Sequence, residues 1–486
     1  MPRNIVLYGK VYTTSHLFIH TLRWLVTRHA DEIRDWHFHL ILDDRRDRDT
    51  AASLLTNNHV TVYAQYEACR PKDARLSWSS TQLQDWEHRY GTPHLRLYIT
   101  GERILGGCSE EAQWRYLFSH IEYFERLCHE LQPALFVSGP AALLPSWVAI
   151  NVFRGNGIPC LIFSPARFED RCFLPDDAHE RLHVQPLYQE KLRDGLATPE
   201  REAAVALVQQ YRRKAIKPAE FWIVKRTTRL RLLPRPRRLW QRLYHNYWTD
   251  GREYDEPFSA VVWRALKARR TWIYDAYLQF KVVRRVPADE PFFFYPLQFE
   301  PEMALSTQGR GWTNQLDLIR VISECLPIDR WLYVKEHPMM PSGVRPLGFY
   351  RELLRLPRVR LLDQRLDSYA VVPSAEAVIT LGSTVGWEAL MFGKPVLLAG
   401  RAFYEEFSDG VVRLEQLEEL PGLLRSLRSR RVPEEALLAF IAAVLTKAPK
   451  ALVVEPRFFP DLTNRVLSPD NLEAIARLIL ERLQQR

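Results

Sequence analysis

Between Phe292 and Gly400, short apolar runs alternate with stretches that carry apolar residues at helical spacing, and polar residues gather just after each run. The runs are Phe292-Phe293-Phe294-Tyr295, Trp331-Leu332-Tyr333-Val334, Val359-Arg360-Leu361-Leu362, Ala377-Val378-Ile379-Thr380-Leu381 and Val396-Leu397-Leu398. Each is short and mostly aromatic, β-branched or Leu, which predicts buried strands. Asn314 to Cys325, Leu347 to Leu356 and Thr384 to Phe392 have the length and period of crossover helices. The alternation predicts an α/β fold with a parallel, doubly wound sheet.

The N-terminal half repeats the pattern more loosely. Asn4 to Tyr8, Trp36 to Leu42, Val60 to Tyr63, Ala134 to Ser138 and Pro159 to Phe163 are candidate strands, with helices through Val26, over Glu110 to Leu131 and over Ala141 to Arg154. No G-x-G-x-x-G follows the first strand, so no dinucleotide fingerprint is present. At 486 residues the chain exceeds one ordinary core. The expected organisation is an N-terminal Rossmann-like domain over 1–198, a helical basic interdomain region over 199–287, a C-terminal Rossmann-like domain over 288–450, and a tail with a last helix over 451–486. That helix opens on Ser468-Pro469-Asp470, a cap, a proline and an acid in the order a helix start favours.

Charge changes this picture at one place. Arg212 to Arg242 holds twelve Lys or Arg against the single acid Glu220, so this stretch is +11 and the rest of the chain sums to −2 out of a total of +9. Aromatic and Leu residues interleave with the charges. Such a segment suits an anionic membrane surface, with Arg226, Arg229, Arg231, Arg235, Arg237 and Arg238 as its contacts. A solvated linker helix explains the same composition. Nucleic acid is disfavoured as a partner because no recognition motif accompanies the charge. The six cysteines form no C-x-x-C pair and no zinc spacing, which fits reduced thiols. With no signal-like N-terminus and no apolar run near the roughly 20 residues a bilayer span needs, the expected location is cytoplasmic, peripheral at the inner face of the plasma membrane.

Ligands of doubly wound sheets sit beyond the carboxyl ends of the strands. The residues there are Gln298, Glu300 and Glu302 after the first run, Lys335, Glu336 and His337 after the second, and Gly382, Ser383 and Thr384 after the fourth. Gly382-Ser383-Thr384 opens a helix, so N–H groups, hydroxyls and the positive helix end converge on an anion, most naturally a phosphate. An ordinary capped helix start explains these three residues as well. The His337 imidazole, held off helix by Pro338, is placed to hydrogen-bond or protonate a departing phosphate oxygen. Glu388, one helical turn beyond Thr384, has the reach for ribose hydroxyls, although a surface Glu is the simpler reading. Gln298, Glu300 and Glu302 alternate in a proline-interrupted loop that would read a base or an acceptor sugar, or be merely solvated.

In the N-terminal half, Asp47 and Asp49 form a D-x-D, the spacing of a divalent-metal site. An acid-rich helix start explains it better. Glu169 and Asp170 follow the last candidate strand and are the carboxylates placed to act as catalytic base, with an ion-paired loop to Arg167 and Arg171 as the alternative.

Taken together, Phe294-Tyr295-Pro296-Leu297-Gln298-Phe299-Glu300-Pro301-Glu302, Val334-Lys335-Glu336-His337-Pro338, Phe349-Tyr350, Thr380 to Leu390, Gly393-Lys394-Pro395-Val396 and Phe403-Tyr404 resemble bacterial capsular polysaccharide biosynthesis proteins, a group that includes Kdo transferases. The resemblance covers roughly 290 to 405. It implies two Rossmann-like domains facing across a cleft (GT-B), donor nucleotide on the C-terminal one and acceptor toward the other. The His-Pro and Ser-Thr pairs also look like those of bacterial sialyltransferases, where they hold the phosphate of a CMP-sugar, which makes His337, Ser383 and Thr384 the phosphate ligands here. The implied function is transfer of a sugar, with a CMP-sugar such as CMP-Kdo favoured, to a glycan or glycolipid acceptor, without metal or cofactor and alongside capsule assembly proteins. A sugar-nucleotide epimerase or hydrolase on the same fold, and a non-catalytic lipid- or polysaccharide-binding scaffold, are the alternatives.

Overall fold

The computed structural model describes residues 3–10, 13–65, 78–91, 94–102, 105, 108–166, 168–213, 277–286, 290–300, 302–338, 340, 345–457 and 459–485. The basic-segment candidates Arg226, Arg229, Arg231, Arg235, Arg237 and Arg238 lie outside the described residues. Two compact units emerge, one formed by 3–181 with 448–485 and the other by 182–213 with 277–447.

In the first unit five parallel strands, β1 (Arg3–Gly9), β2 (Trp36–Leu42), β3 (Val60–Ala64), β4 (Leu135–Ser138) and β5 (Cys160–Ile162), pair in the order β3-β2-β1-β4-β5. Helices α1 (Ser15–Arg28), α2 (Arg45–Leu54), α3 (Glu110–Leu131) and α4 (Leu144–Gly155) connect them. β1 is apolar at successive positions because both of its faces are covered, the mark of a central parallel strand. A hairpin of β6 (Ser164–Pro165) and β7 (Cys172–Phe173) follows.

The chain's end belongs to this unit. Its last helix, Pro469–Gln484, is capped by the Ser468 hydroxyl, which accepts from the Asn471 N–H (3.3 Å). Ile475, Ile479 and Leu483 bury their stripe in the same core as Ile5, Leu7, Leu22 and Phe38. Fully burying side chains of this size contributes about 1.5–3 kcal/mol each, so the last helix is part of the domain's stability.

The second unit begins with α5 (Gln185–Asp194) and α6 (Thr198–Arg212), so its first helix starts before residue 198. Its sheet holds β8 (Phe292–Pro296), β9 (Trp331–Lys335), β10 (Val359–Leu362), β11 (Ala377–Thr380), β12 (Val396–Leu398) and β13 (Val411–Arg413), all parallel, in the order β10-β9-β8-β11-β12-β13. The five strands read from the apolar runs are present. The sixth, β13, lies in a stretch whose pattern reads as helical, and at three residues it is too short to show a period. Helices α7 (Gln315–Cys325), α8 (Leu347–Leu353), α9 (Thr384–Met391) and α10 (Glu434–Lys447) complete the unit.

Each sheet reverses its strand order once, between β1 and β4 in the first unit and between β8 and β11 in the second. These are two Rossmann-like sheets. The reversal point is where ligands of such sheets bind, which puts the turns after β8 and β11 in the foreground. Among the described residues no helix is long and apolar enough to cross a membrane.

Candidate functional site at the carboxyl edge of the second sheet

The turn after β11 is shaped by glycine and capping. Gly382 has φ +152°, and a Cβ there would lie 2.4 Å from the Arg401 carbonyl oxygen, so only glycine fits. The Gly382 and Ser383 N–H groups donate to the Thr380 hydroxyl (3.2 and 2.9 Å). Ser383 is the cap of α9, its Oγ accepting from the Val385 N–H (3.2 Å). Its carbonyl accepts from the buried Tyr404 hydroxyl (2.6 Å). Tyr404 gets that close because residue 386 is glycine, where a Cβ would sit 2.2 Å from the Tyr404 oxygen. From the other end, Trp387 donates its indole N–H to Tyr211 of α6 (3.1 Å), which fixes the start of α9 against the body of the unit.

Gln298 reaches this turn from β8. With its amide oxygen toward α9 it accepts from the N–H groups of Gly382 (3.2 Å) and Ser383 (2.9 Å). The anion-facing groups at the start of α9 are therefore the two hydroxyls of Ser383 and Thr384 and the N–H groups nearer the helix, under the positive end of the α9 dipole.

Glu300 and Glu336 are held by a side chain that the sequence pattern did not single out. Arg345 is almost fully buried. Its Nε donates to Glu336 Oε2 (2.8 Å), Nη1 to Glu300, and Nη2 to the Gln298 carbonyl (2.9 Å), while the guanidinium lies 4.6 Å from the Phe349 ring centre. Tyr350 adds a hydroxyl to Glu336 Oε2 (2.7 Å), and Gln315 donates to Glu300 Oε1 (2.6 Å). Both carboxylates thus sit inside a hydrogen-bonded network. Glu302 occupies the cap position of the short helix Met303–Gln308 and does not join it. Arg345 follows a Pro-Ser-Gly stretch with no periodicity, and only the Phe349-Tyr350 pair that packs beside it carried a sequence signal.

His337 follows β9. Its N–H donates to Glu336 Oε1 (2.7 Å), its carbonyl accepts from Gln364 (2.7 Å), and its ring meets Phe299 edge to face at 6.1 Å. Backbone and ring are both oriented by neighbours from the turns after β8 and β10.

Lys335 and Glu388 are each only 4% exposed. Neither side chain makes a hydrogen bond or ion pair among the described residues, although each lies in the other's field. Burial pushes the Glu388 carboxyl up to about 8, Asp367 adds to the shift, and Lys335 opposes it. Burial likewise lowers Lys335, against the pull of Asp367, Glu336, Glu388 and Asp363. Glu388 is therefore a buried acid, not the surface Glu that its helix position allowed.

Glu169 and Asp170, the residues put forward as catalytic base, belong to the first unit. They form the turn between β6 and β7, both in the left-handed region (φ 49° and 52°). Glu169 pairs with Arg171 (3.4 Å) and Asp170 with Arg465. That is the ion-paired loop. Asp47 of the D-x-D is fully buried, accepts from the Ser15 hydroxyl (2.6 Å), and pairs with His16 (3.2 Å) and Arg457 (2.7 Å). It ties α2 to α1 and to the returning C-terminal segment. Among the described residues no group of three or more His, Cys, Asp or Glu is arranged to hold a metal ion.

Residues 238–420 match the family model described as capsule polysaccharide biosynthesis protein. The matched segment is under two fifths of the chain. It contains every residue of the site just described except Tyr211. Two curated relatives share part of the chain. The capsule polysaccharide modification protein LipA of Neisseria meningitidis serogroup A is 28% identical over 145 residues, 30% of this chain and 20% of LipA. Protein FixF of Sinorhizobium fredii is 29% identical over 139 residues, 27% of this chain and 32% of FixF. The chain thus spans a fifth to a third of these relatives' lengths. Among solved structures, the β-Kdo 2,7 transferase KpsC of Thermosulfurimonas dismutans aligns with TM-score 0.37 and 12% identity over 71% of this chain and 90% of that one. UDP-GlcNAc 2-epimerase of Methanocaldococcus jannaschii aligns with TM-score 0.26 and 11% identity over 92% and 99%. At these scores the fold rests on the strand orders above.

Proposed function

We propose that the protein is a glycosyltransferase of capsule or surface polysaccharide biosynthesis that binds a nucleotide sugar, with a CMP-sugar favoured, at the carboxyl edge of its second sheet and transfers the sugar to a glycan or glycolipid. One observation carries the reading. Two titratable side chains, Lys335 and Glu388, are buried without hydrogen-bond or ion-pair partners among the described residues, inside the segment that matches the family model. Burying such groups unpaired opposes folding, and unpaired, perturbed groups at a strand-end crevice are the mark of a binding site.

The chemistry follows from the arrangement. Transfer from a nucleotide sugar breaks the bond between the anomeric carbon and a phosphate oxygen, so charge grows on the departing phosphate. The α9 dipole, the Ser383 and Thr384 hydroxyls and the His337 imidazole supply donors for that charge, with Ser383 and His337 held by their neighbours. A protonated Glu388 can donate to a hydroxyl or carbonyl oxygen of the nucleoside, and Lys335 adds a further donor. The roles of Gln298, Glu300 and Glu336 are supportive in this scheme. The catalytic base and the acceptor come from outside this set.

Calorimetric titration with CMP, UDP and GDP, with and without a divalent metal, tests the proposal. Selective, metal-independent binding of CMP is expected. Preference for UDP would move the donor and favour an epimerase or hydrolase, which product analysis without acceptor would reveal. Binding of none of the three would refute the nucleotide-sugar reading.

A further inference from the structure

We propose that Arg345 is the positioning residue of the phosphate site, holding the turn after β8 and the turn after β9 in one arrangement through Gln298, Glu300 and Glu336. This deepens the reading above and rests on it. The guanidinium bonds the Gln298 carbonyl and the Glu300 carboxylate on one side and Glu336 on the other. Two of those partners, Glu336 and Gln298, adjoin groups assigned to the phosphate. Glu336 accepts from the His337 N–H (2.7 Å), which sets the backbone that carries the imidazole. With its amide oxygen toward α9, Gln298 shares the Gly382 and Ser383 N–H groups with the Thr380 hydroxyl, which sets the peptide before α9. A single planar cation thereby links the His337 turn, which it bonds through Glu336, to the Ser383 turn, which it meets only through Gln298.

Stability alone does not account for this choice of residues. A buried cation between two carboxylates is often no more stabilising than well-packed apolar side chains of similar volume. What the charged network adds is direction, because a guanidinium bonds several acceptors in a fixed plane. With one face of the guanidinium against Phe349, its donors bond acceptors of the two turns.

Arg345→Lys keeps the charge but not the fork, so an ammonium cannot serve Gln298, Glu300 and Glu336 together. Hydrogen exchange resolved to single amides, with calorimetric titration of CMP, is the test. The expected result is loss of protection at His337 and reduced protection at Gly382 and Ser383, which keep the Thr380 hydroxyl, with β8, β9 and β11 still protected, and CMP affinity at least tenfold weaker. Unchanged protection at the three amides would overturn the proposal, and so would loss spread through the whole second unit, which would make Arg345 merely structural. Local loss in a protein whose wild type binds none of CMP, UDP and GDP would keep Arg345 as positioning residue of these turns and overturn the donor reading alone. Should Arg345→Lys not fold, Glu336→Gln provides the second arm. It leaves the Gln298 and Glu300 contacts in place, so protection is expected to fall at His337 and to persist at Gly382 and Ser383. Equal loss at all three would refute the division of labour.

Discussion

Glu388→Gln separates the cost of the buried acid from its use. The Glu388 carboxyl is raised from 4.5 to about 8, by burial first and Asp367 second. Below pH 4.5 the group is protonated in both folded and unfolded chains, so it imposes no penalty there. As pH rises, the unfolded chain releases the proton and the folded one keeps it, and stability falls by about 1.4 kcal/mol per pH unit until the folded group ionises too. The accumulated loss at pH 7 is about 3 kcal/mol. Gln has nearly the shape of the protonated acid and cannot ionise. Glu388→Gln is therefore expected to stabilise the second unit by about 3 kcal/mol at pH 7, with the gain shrinking to nothing near pH 4.5 and nucleotide binding weakened throughout. Because the chain has two units, a global transition would mix them. Opening free energies from hydrogen exchange of the β11 amides, at pH 5, 6 and 7 in parent and variant, isolate the second unit. A variant less stable than the parent at pH 7, or one whose stability keeps the parent's pH slope, would refute the reasoning. It would mean that Glu388 is ionised in the fold and paired with Lys335.

Two further substitutions probe the same turn. His337→Ala should lower sugar transfer by at least roughly 100-fold while the thermal midpoint of the protein stays near the parent's, and a folded variant with full turnover would remove the imidazole from the mechanism. Gly386→Ala should destabilise the second unit by about 1–3 kcal/mol, since its Cβ would fall 2.2 Å from the Tyr404 oxygen. Tyr404→Phe in the same chain should recover part of that loss in urea unfolding, and no recovery would place the strain elsewhere.

The strands of the second sheet were legible because β8, β9 and β11 are buried on both faces and so appear as unbroken apolar runs. Position after a strand was enough to single out Lys335, His337, Ser383 and Thr384 as candidates. It could not separate a ligand-facing acid from a paired one. Glu300 and Glu336 look equivalent to Glu388 in sequence, yet Arg345 holds the first two, and that pairing needs two turns that meet only in the fold. Asp47 shows the same limit, since its partner Arg457 arrives from 410 residues away. Glu169 and Asp170 were singled out by their position after a strand, which does not reveal that each pairs with an Arg, Asp170 with one 295 residues away.

The acids at this sheet edge divide by whether a cation has been provided, and the division argues for function more strongly than any one residue. Removing a partner from a buried ion pair costs about 3–5 kcal/mol, so a chain that needed only stability would pair Glu388 as it pairs Glu300 and Glu336. Lys335, the nearby cation, is itself depressed by burial and makes no ion pair with Glu388. Two buried groups without bonds among the described residues, two residues from His337 on one side and four from Thr384 on the other, fit a proposed ligand that completes their hydrogen bonds when it binds. The paired acids then have the complementary task of holding still the turns against which that ligand is placed.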